Sequence, residues 1–518
     1  LGPDDPDTAT RLNNLALNLN TQGRYSEAQP LYERALRIYE AALGPDHPNT
    51  ATSLNNLASN LNAQGRYREA HPLLVRALSI TEAALGPVHP DTATSLDNLA
   101  GNLNDQGRYS EAQPLYERAL RITEGALGPD HPDTATNLNN LGINLNAQGR
   151  YLDAQPLYER ALRIREAALG PVHPDTATSL NNLGRNLNAQ GRYSEAQLLL
   201  ERALRITEAA LGPDDPDTAT RLNNLALNLN TQGLYSEAQP LYERALRIYE
   251  AALGPDHPLT ATSLNNLASN LDDQGLYSEA QPLFERALRI REAALGPDHP
   301  DTANSLNNLA GNLNDQGRYS EAQPLYERAL RITEGALGPD HPDTATNLNN
   351  LALNFNDQGR YSEAQPLLGR ALRINEAALG PDHPSTATRL NNLALNLGAQ
   401  GRYSEAQPLL ERALSIMEAA LGPDHPATAE SLIEIGDNLY NQRQFVEALP
   451  VYKRALTIYE NTLGFTSNRP AYIHQKIALI GLNTSDHNLA ATSSKRSTDY
   501  LLTLSLIHIS EPTRLRRI

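Results

Sequence analysis

The sequence predicts an all-α solenoid of stacked helix-turn-helix hairpins. Three observations predict it: a fixed internal period, two amphipathic helical stripes in each period, and Gly/Pro punctuation between them. The string LGPDHPDT, or a close variant, begins at Leu1, Leu43, Leu85, Leu127, Leu169, Leu211, Leu253, Leu295, Leu337, Leu379 and Leu421. The spacing is 42 residues without insertion or deletion, so eleven units account for residues 1–462 of the 518. A longer period overlies the first. The run from Arg11 to Thr21 returns unchanged as Arg221 to Thr231, which marks a five-unit block duplicated in the gene or in the assembly of its sequence.

In unit 1, Leu12, Leu15, Ala16 and Leu19 fall at i, i+3, i+4 and i+7, one stripe of a first helix. Gln22-Gly23-Arg24 interrupts it. A second helix is expected from about Ser26, a suitable N-cap, through Ala28, Leu31, Tyr32, Ala35, Leu36 and Ile38 to Ala42. Pro30 then falls in or beside its first turn, where a missing N–H costs least. Leu43-Gly44-Pro45-Asp46-His47-Pro48 closes the unit, with Gly able to take a left-handed C-cap and two prolines unable to continue the helix. Neither helix can hide its apolar stripe alone. Stacking the next hairpin on it buries both, giving one continuous core with no domain boundary.

The end of the chain changes character. Unit 11 departs from the others at Ile433-Glu434-Ile435, Asp437 and Gln442-Arg443-Gln444-Phe445, as terminal repeats do where an outer face meets water. Residues 463–482, with Ile477-Ala478-Leu479-Ile480, are expected to add one capping helix, and the Ser/Thr/Asn-rich residues 483–503 to be disordered. Residues 504–518 resemble the conceptual translation of a sequencing-library adapter and are set aside. The first residue is Leu1 rather than Met, which reads as a cut through a longer protein.

Composition removes whole classes of function. With no Cys, a cysteine nucleophile, a disulfide framework and thiolate metal sites are excluded. The net charge is −17 and the only lysines are Lys453, Lys476 and Lys495, so no basic stripe is available for phosphate backbones or an anionic membrane. No apolar run approaches the roughly 20 residues that span a bilayer, and the expectation is a cytoplasmic protein. His47, His89, His131, His173, His257, His299, His341, His383 and His425 recur in register, but stacked units about 10 Å apart cannot bring successive rings to one zinc. Asp5 and Asp215 hold the same position, which favours connector packing or helix capping. There is no phosphate loop, nucleophile elbow or HExxH, and Glu33-Arg34 and Arg37-Glu40 read as solvated charge. No enzyme, cofactor or metal is expected.

The units resemble tetratricopeptide repeats of the 42-residue kind found in kinesin light chains and many bacterial signalling proteins. The family's small-and-large pattern falls on Leu12, Leu15, Ala16, Leu19, Gly23, Tyr25, Ala28, Tyr32 and Ala35, and the LGPDHP connector matches. Leu12 stands where a large aromatic is frequent and Leu19 where Tyr is usual. The resemblance covers about nine-tenths of the chain. It implies a right-handed superhelical solenoid whose first helices line a concave groove, and a non-catalytic scaffold that takes a peptide or partner protein there.

By that resemblance the lining in unit 1 is Thr10, Asn13, Leu17, Asn20 and Thr21, with Asn14 close by. Asn13 recurs as Asn55, Asn139, Asn181, Asn223, Asn265, Asn307, Asn349 and Asn391, with Asp97 in unit 3. Asn14 recurs as Asn56, Asn98, Asn140, Asn182, Asn224, Asn266, Asn308, Asn350 and Asn392. An amide offers two donors and an acceptor, so a ladder of them can hold a peptide backbone without demanding one sequence. The competing reading has these amides bonded to neighbouring helices or water. Selectivity is expected from the column that varies: Leu17, Ser59, Gly101, Ile143, Arg185, Leu227, Ser269, Gly311, Leu353, Leu395 and Asp437. Arg185 is its one positive member and either meets a carboxylate or stays solvated. The groove is expected to be near neutral, so no acidic ligand is carried over from the family. RNA reading, one base per unit, is disfavoured by the net acidity. The alternatives are a sensor or oligomerisation arm for an ATPase or caspase-like effector domain outside this sequence, and a repeat expansion with no dedicated ligand. No oligomeric state follows from the sequence.

Overall fold

The computed structural model describes residues 2, 4–462 and 469–510, with side chains as far as 502. The described residues form 24 helices and no strand. Each 42-residue repeat supplies an A helix and an antiparallel B helix, from α1 (Pro6–Thr21) and α2 (Tyr25–Leu43) to α21 (Pro426–Asn441) and α22 (Phe445–Thr462).

Every A helix starts at the connector proline, and the residue before it is the cap. Asp5 Oδ1 accepts from the Asp7 N–H at 2.8 Å, and His47 Nδ1 accepts from the Asn49 N–H at 3.1 Å. The connector threonine completes the link: Thr92 Oγ1 donates to the Gly86 carbonyl at 2.8 Å, and Gly86 takes φ 99°, which a side chain would strain. The B helix begins at Tyr25, one residue earlier than the Ser26 cap leads one to expect, and no side chain caps it. Arg24 instead clasps Glu27 through two bonds across the first turn, and Pro30 lies inside the helix near its exposed start.

Alanines wholly removed from solvent, among them Ala16, Ala28 and Ala58, let the helices approach, and Tyr32 and Leu74 fill the space between them. Stacking makes this core. Leu57 in repeat 2 is 6 % exposed, whereas its counterpart Leu15 in repeat 1, with no repeat stacked before it, is 52 % exposed. On the outside, Glu40 pairs with Arg76 of the following repeat at 2.7 Å rather than with Arg37 of its own helix, and the same bond recurs as Glu124–Arg160 and Glu334–Arg370.

The array coils until successive turns meet. The A–B turn of each of repeats 1–5 lies against the connector of the repeat six places on. Gly65 faces His299 and Pro300, and Gly149 faces His383 and Pro384, so closely that a Cβ at either glycine would sit 2.6 Å from the proline Cδ. His383 Nε2 is 3.2 Å from the carbonyl of Ala147, the last residue of an A helix, and Arg68 reaches the Leu337 carbonyl at 3.0 Å. The Nε2–H tautomer fits both ends of the ring, because Nδ1 is already the acceptor of the N-cap bond. A cavity of about 560 Å³ lies on this seam between Tyr25 and Ser26 of one turn and Pro255 and Ala293 of the next.

Beyond repeat 11 a further hairpin caps the core: α23 (Arg469–Asn483) and α24 (His487–Ser510). The single capping helix expected is thus the first of a pair, and the segment expected to be disordered is largely helical. Its small residues explain the difference: Ala490 and Ser493 are buried, Gly481 admits the Ala490 backbone, and Ser497 Oγ donates to the Ala471 carbonyl at 2.9 Å. Of the adapter-like stretch 504–518, residues 511–518 and all the side chains lie outside the described residues.

Candidate functional site

Consecutive A helices touch one another along the array, while no B helix meets the next one as closely, so the A helices form the inner wall of the coil. The columns expected to line that wall divide into three kinds.

The Asn13 column turns sideways. Asn139, Asn181, Asn223, Asn265, Asn349 and Asn391 are buried, Asn13 is 9 % exposed, and Asn55 and Asn307 are half-buried. Their amides reach the following A helix: Asn139 Nδ2 donates to Ser179 Oγ at 3.3 Å, Asn265 to Ser305 at 3.1 Å and Asn391 to Ser431 at 3.2 Å, and Asn307 bonds Asn347. The open amide ladder expected at this column is corrected by its place on the flank between two helices. Asp97, its member in repeat 3, accepts from Asn137 at 2.5 Å and Asn140 at 3.4 Å; burial nevertheless pushes its carboxyl up to about 7.

The Asn14 column and the varying column remain accessible. Asn14, Asn98 and Asn308 are exposed, and Asn56, Asn140, Asn182, Asn224, Asn266, Asn350 and Asn392 are half-buried. Asn224 and Asn392 each donate back to the preceding repeat, to Asn181 and Asn349, at 2.8 and 2.7 Å. In the varying column Leu17, Ile143, Leu227 and Leu395 are 45–57 % exposed, and Ser59 and Arg185 are exposed. Its last member, Asp437, is enclosed by the cap: Tyr452 and Tyr472 donate to it at 2.6 and 2.7 Å, and Lys476 pairs with it at 2.8 Å.

The third kind locks repeat to repeat. Asn20 is half-buried, and its Oδ1 accepts from Asn60 Nδ2 at 2.8 Å; Asn60 donates also to the Tyr25 carbonyl and accepts from Gln64 at 2.7 Å. Asn102, Asn144, Asn186, Asn270 and Asn354 have the same fully buried setting. Sequence reasoning passed over the Asn60 column, although it is Asn in all eleven units and so more constant than the columns singled out. Thr10 is likewise engaged, sharing a 2.8 Å hydrogen bond with Tyr39, and Thr21 donates to the Asn18 carbonyl.

At the turn end of the wall, repeats 7–9 gather Asp272, Asp273, Asp315 and Asp357. Burial and the neighbouring carboxylates raise Asp315 to about 6. Asn230 and Asn314 donate to Asp273 and Asp357 at 2.7 and 2.6 Å. The wall is thus acidic over this segment rather than near neutral throughout. The connector histidines are helix caps, and among the described residues no three potential metal ligands converge. No described helix is long and apolar enough to cross a membrane.

The tetratricopeptide repeat family profile matches the chain in ten overlapping stretches, from residues 7–83 to 390–461. No curated protein matches it. Among solved structures, a putative kinesin light chain with nearly identical TPR-like repeats from Podosopora anserina is 28 % identical over 40 % of this chain and 98 % of its own, with a TM-score of 0.34. A point-substituted form of that same protein aligns at 28 % identity over 40 % and 97 %, with a TM-score of 0.35. BtubC (BKLC) from P. vanneervenii is 26 % identical over 45 % of this chain and 92 % of its own, with a TM-score of 0.37. With the family profile matched from the first repeat to the eleventh, the chain belongs to the tetratricopeptide repeat family, whose repeats serve as protein–protein interaction scaffolds.

Proposed function

We propose that this array is a non-catalytic scaffold whose inner trough captures a peptide or a peptide-like segment of a partner protein. The observation that carries the reading is the varying column. The Asn13 and Asn60 columns of the A helices are buried or bonded to the adjoining repeat, while Leu17, Ile143, Leu227 and Leu395 hold apolar surface open to water in a column that changes from repeat to repeat. Apolar side chains set at intervals beside half-buried amides suit a ligand that offers spaced apolar side chains and free backbone polar groups. Arg185 adds a contact for a carboxylate, and the acidic stretch of repeats 7–9 one for a cationic side chain.

Truncating the Asn13 column is the wrong test, since Asn223 and Asn265 are buried and their loss would disturb the stacking itself. Peptides selected from a displayed library on the purified array are instead compared on an Ile143→Asp/Leu227→Asp variant and on Arg160→Gln, an outer-face change. Affinity is expected to fall at least tenfold for the first and to hold for the second. Equal binding to all three would place the ligand outside the trough.

A further inference from the structure

The seam between turns is built from two surfaces that the 42-residue period repeats, and each of repeats 1–5 and 7–11 uses only one of the two in it. The socket is an A–B turn with the free carbonyls that end its A helix. The plug is a His-Pro connector. Repeats 1–5 contribute sockets at Gly23, Gly65, Gly107, Gly149 and Gly191, and repeats 7–11 the plugs that fill them. Within the seam His257, His299, His341 and His383 are 6–8 % exposed.

Among the described residues, the sockets of repeats 7–10 and the plugs of repeats 3–5 lie open. At Gly275, Gly317, Gly359 and Gly401 a Cβ would meet no atom within 4 Å, and all four glycines are exposed. The side chains of His89, His131 and His173 are 40–42 % exposed, although their Nδ1 atoms make the same cap bonds as the seam histidines. The sequences match as well as the geometry: Gln316-Gly317-Arg318-Tyr319 repeats Gln64-Gly65-Arg66-Tyr67, and His89-Pro90 repeats His299-Pro300. The open sockets belong to the later repeats and the open plugs to the earlier ones, so the two faces lie on opposite sides of the coil.

We propose that these faces are an interaction surface for a second copy of this chain, which stacks end to end so that the connector histidines of one copy seat in successive open A–B turns of the other. Each seated ring keeps its N-cap bond through Nδ1 and donates Nε2–H to a carbonyl at the end of an A helix, as His383 does to Ala147. The contact is head-to-tail. It leaves one socket face and one plug face free at the ends, so it extends rather than closes. Because the chain carries a net charge of −17, copies repel one another at low ionic strength, and added salt strengthens the stacking.

Sedimentation of the whole chain across concentration and salt tests this, with the His89→Asp/His131→Asp variant beside it. Asp keeps the cap, as Asp5 and Asp215 do, but cannot donate to a carbonyl. The wild type is expected to associate by mass action, more so in salt, into particles that lengthen along the coil axis in small-angle scattering. The variant is expected to associate at least tenfold more weakly with unchanged circular dichroism. A wild type that stays monomeric at its solubility limit in high salt, particles that broaden instead of lengthening, or association that survives the double substitution would overturn the proposal.

Discussion

At the scale of single residues, the same side chain has opposite meanings one helical step apart. Asn13 and Asn14 are neighbours in sequence, yet the first column is driven between helices and the second stays at the surface. Sequence reasoning read the identity and recurrence of these amides and could not read their azimuth, because a full A-helix turn here is amide or leucine on nearly every side. The firmest amides were those it passed over. Asn144 is wholly buried, donates to Asn104 at 2.8 Å and to the Tyr109 carbonyl at 2.9 Å, and accepts from Gln148 at 2.7 Å. Asn144→Ala leaves those groups without their partner and is expected to cost about 2 kcal/mol in chemical denaturation; an unchanged midpoint would refute the lock. Arg443 is the converse case, a non-glycine at φ 62° in the turn of repeat 11 where other repeats place Gly. Arg443→Gly is expected to raise stability by about 0.5–1 kcal/mol in thermal unfolding.

At the scale of elements, the hairpins were legible because their stripes and breakers recur without a gap. What the stripes could not give was the cap of helix B or the fate of the tail. Ser26 has the chemistry of an N-cap but falls inside the helix, which starts one residue earlier whether an Arg–Glu clasp holds the first turn, as at Arg24, or Leu stands there, as at Leu234 and Leu276. In α24 the residues that suggested disorder are those whose small size lets two helices approach. The connectors give the test at this scale. His131→Asp retains its cap and is expected to change stability by less than about 0.5 kcal/mol. His383→Asp retains its cap too, but sets a carboxylate against the carbonyl end of an A helix, where the dipole is negative. It is expected to loosen the seam, seen as faster amide exchange at residues 148–152 with little change at distant repeats.

At the scale of the whole molecule, one period builds two kinds of contact. Stacking joins each repeat to the next and shows in the sequence as periodicity. The seam joins each of repeats 1–5 to the sixth along and leaves no mark of its own, because a repeat that makes the contact and one that does not have the same residues. Burial holds the seam histidines neutral: His257, His299, His341 and His383 lie below the ordinary imidazole value, and His425 is pushed down to about 4. Asp301 and Asp343 work against this at His299 and His341, and Arg291 and Arg68 with it. A ring released to solvent takes a proton near 6.5, so the open coil binds more protons below that value. Closure is therefore complete above about pH 6.5 and is lost as pH falls towards about 4, with a rise in radius of gyration expected over that window. Asp97 and Glu434, raised by burial to about 7 and about 8, favour the folded state as they take up protons, so the shape of the coil is the sensitive readout rather than the melting temperature.

The claim on which trough, seam and stacking all depend is that the coil returns upon itself within six repeats. The chain has no native cysteine, so spin labels at Ser26→Cys and Ala293→Cys, on opposite walls of one seam cavity, report that distance alone. A narrow distribution at short distance is expected at neutral pH. A broad one centred near the roughly 60 Å that six layers of about 10 Å would place between the labels would contradict the account.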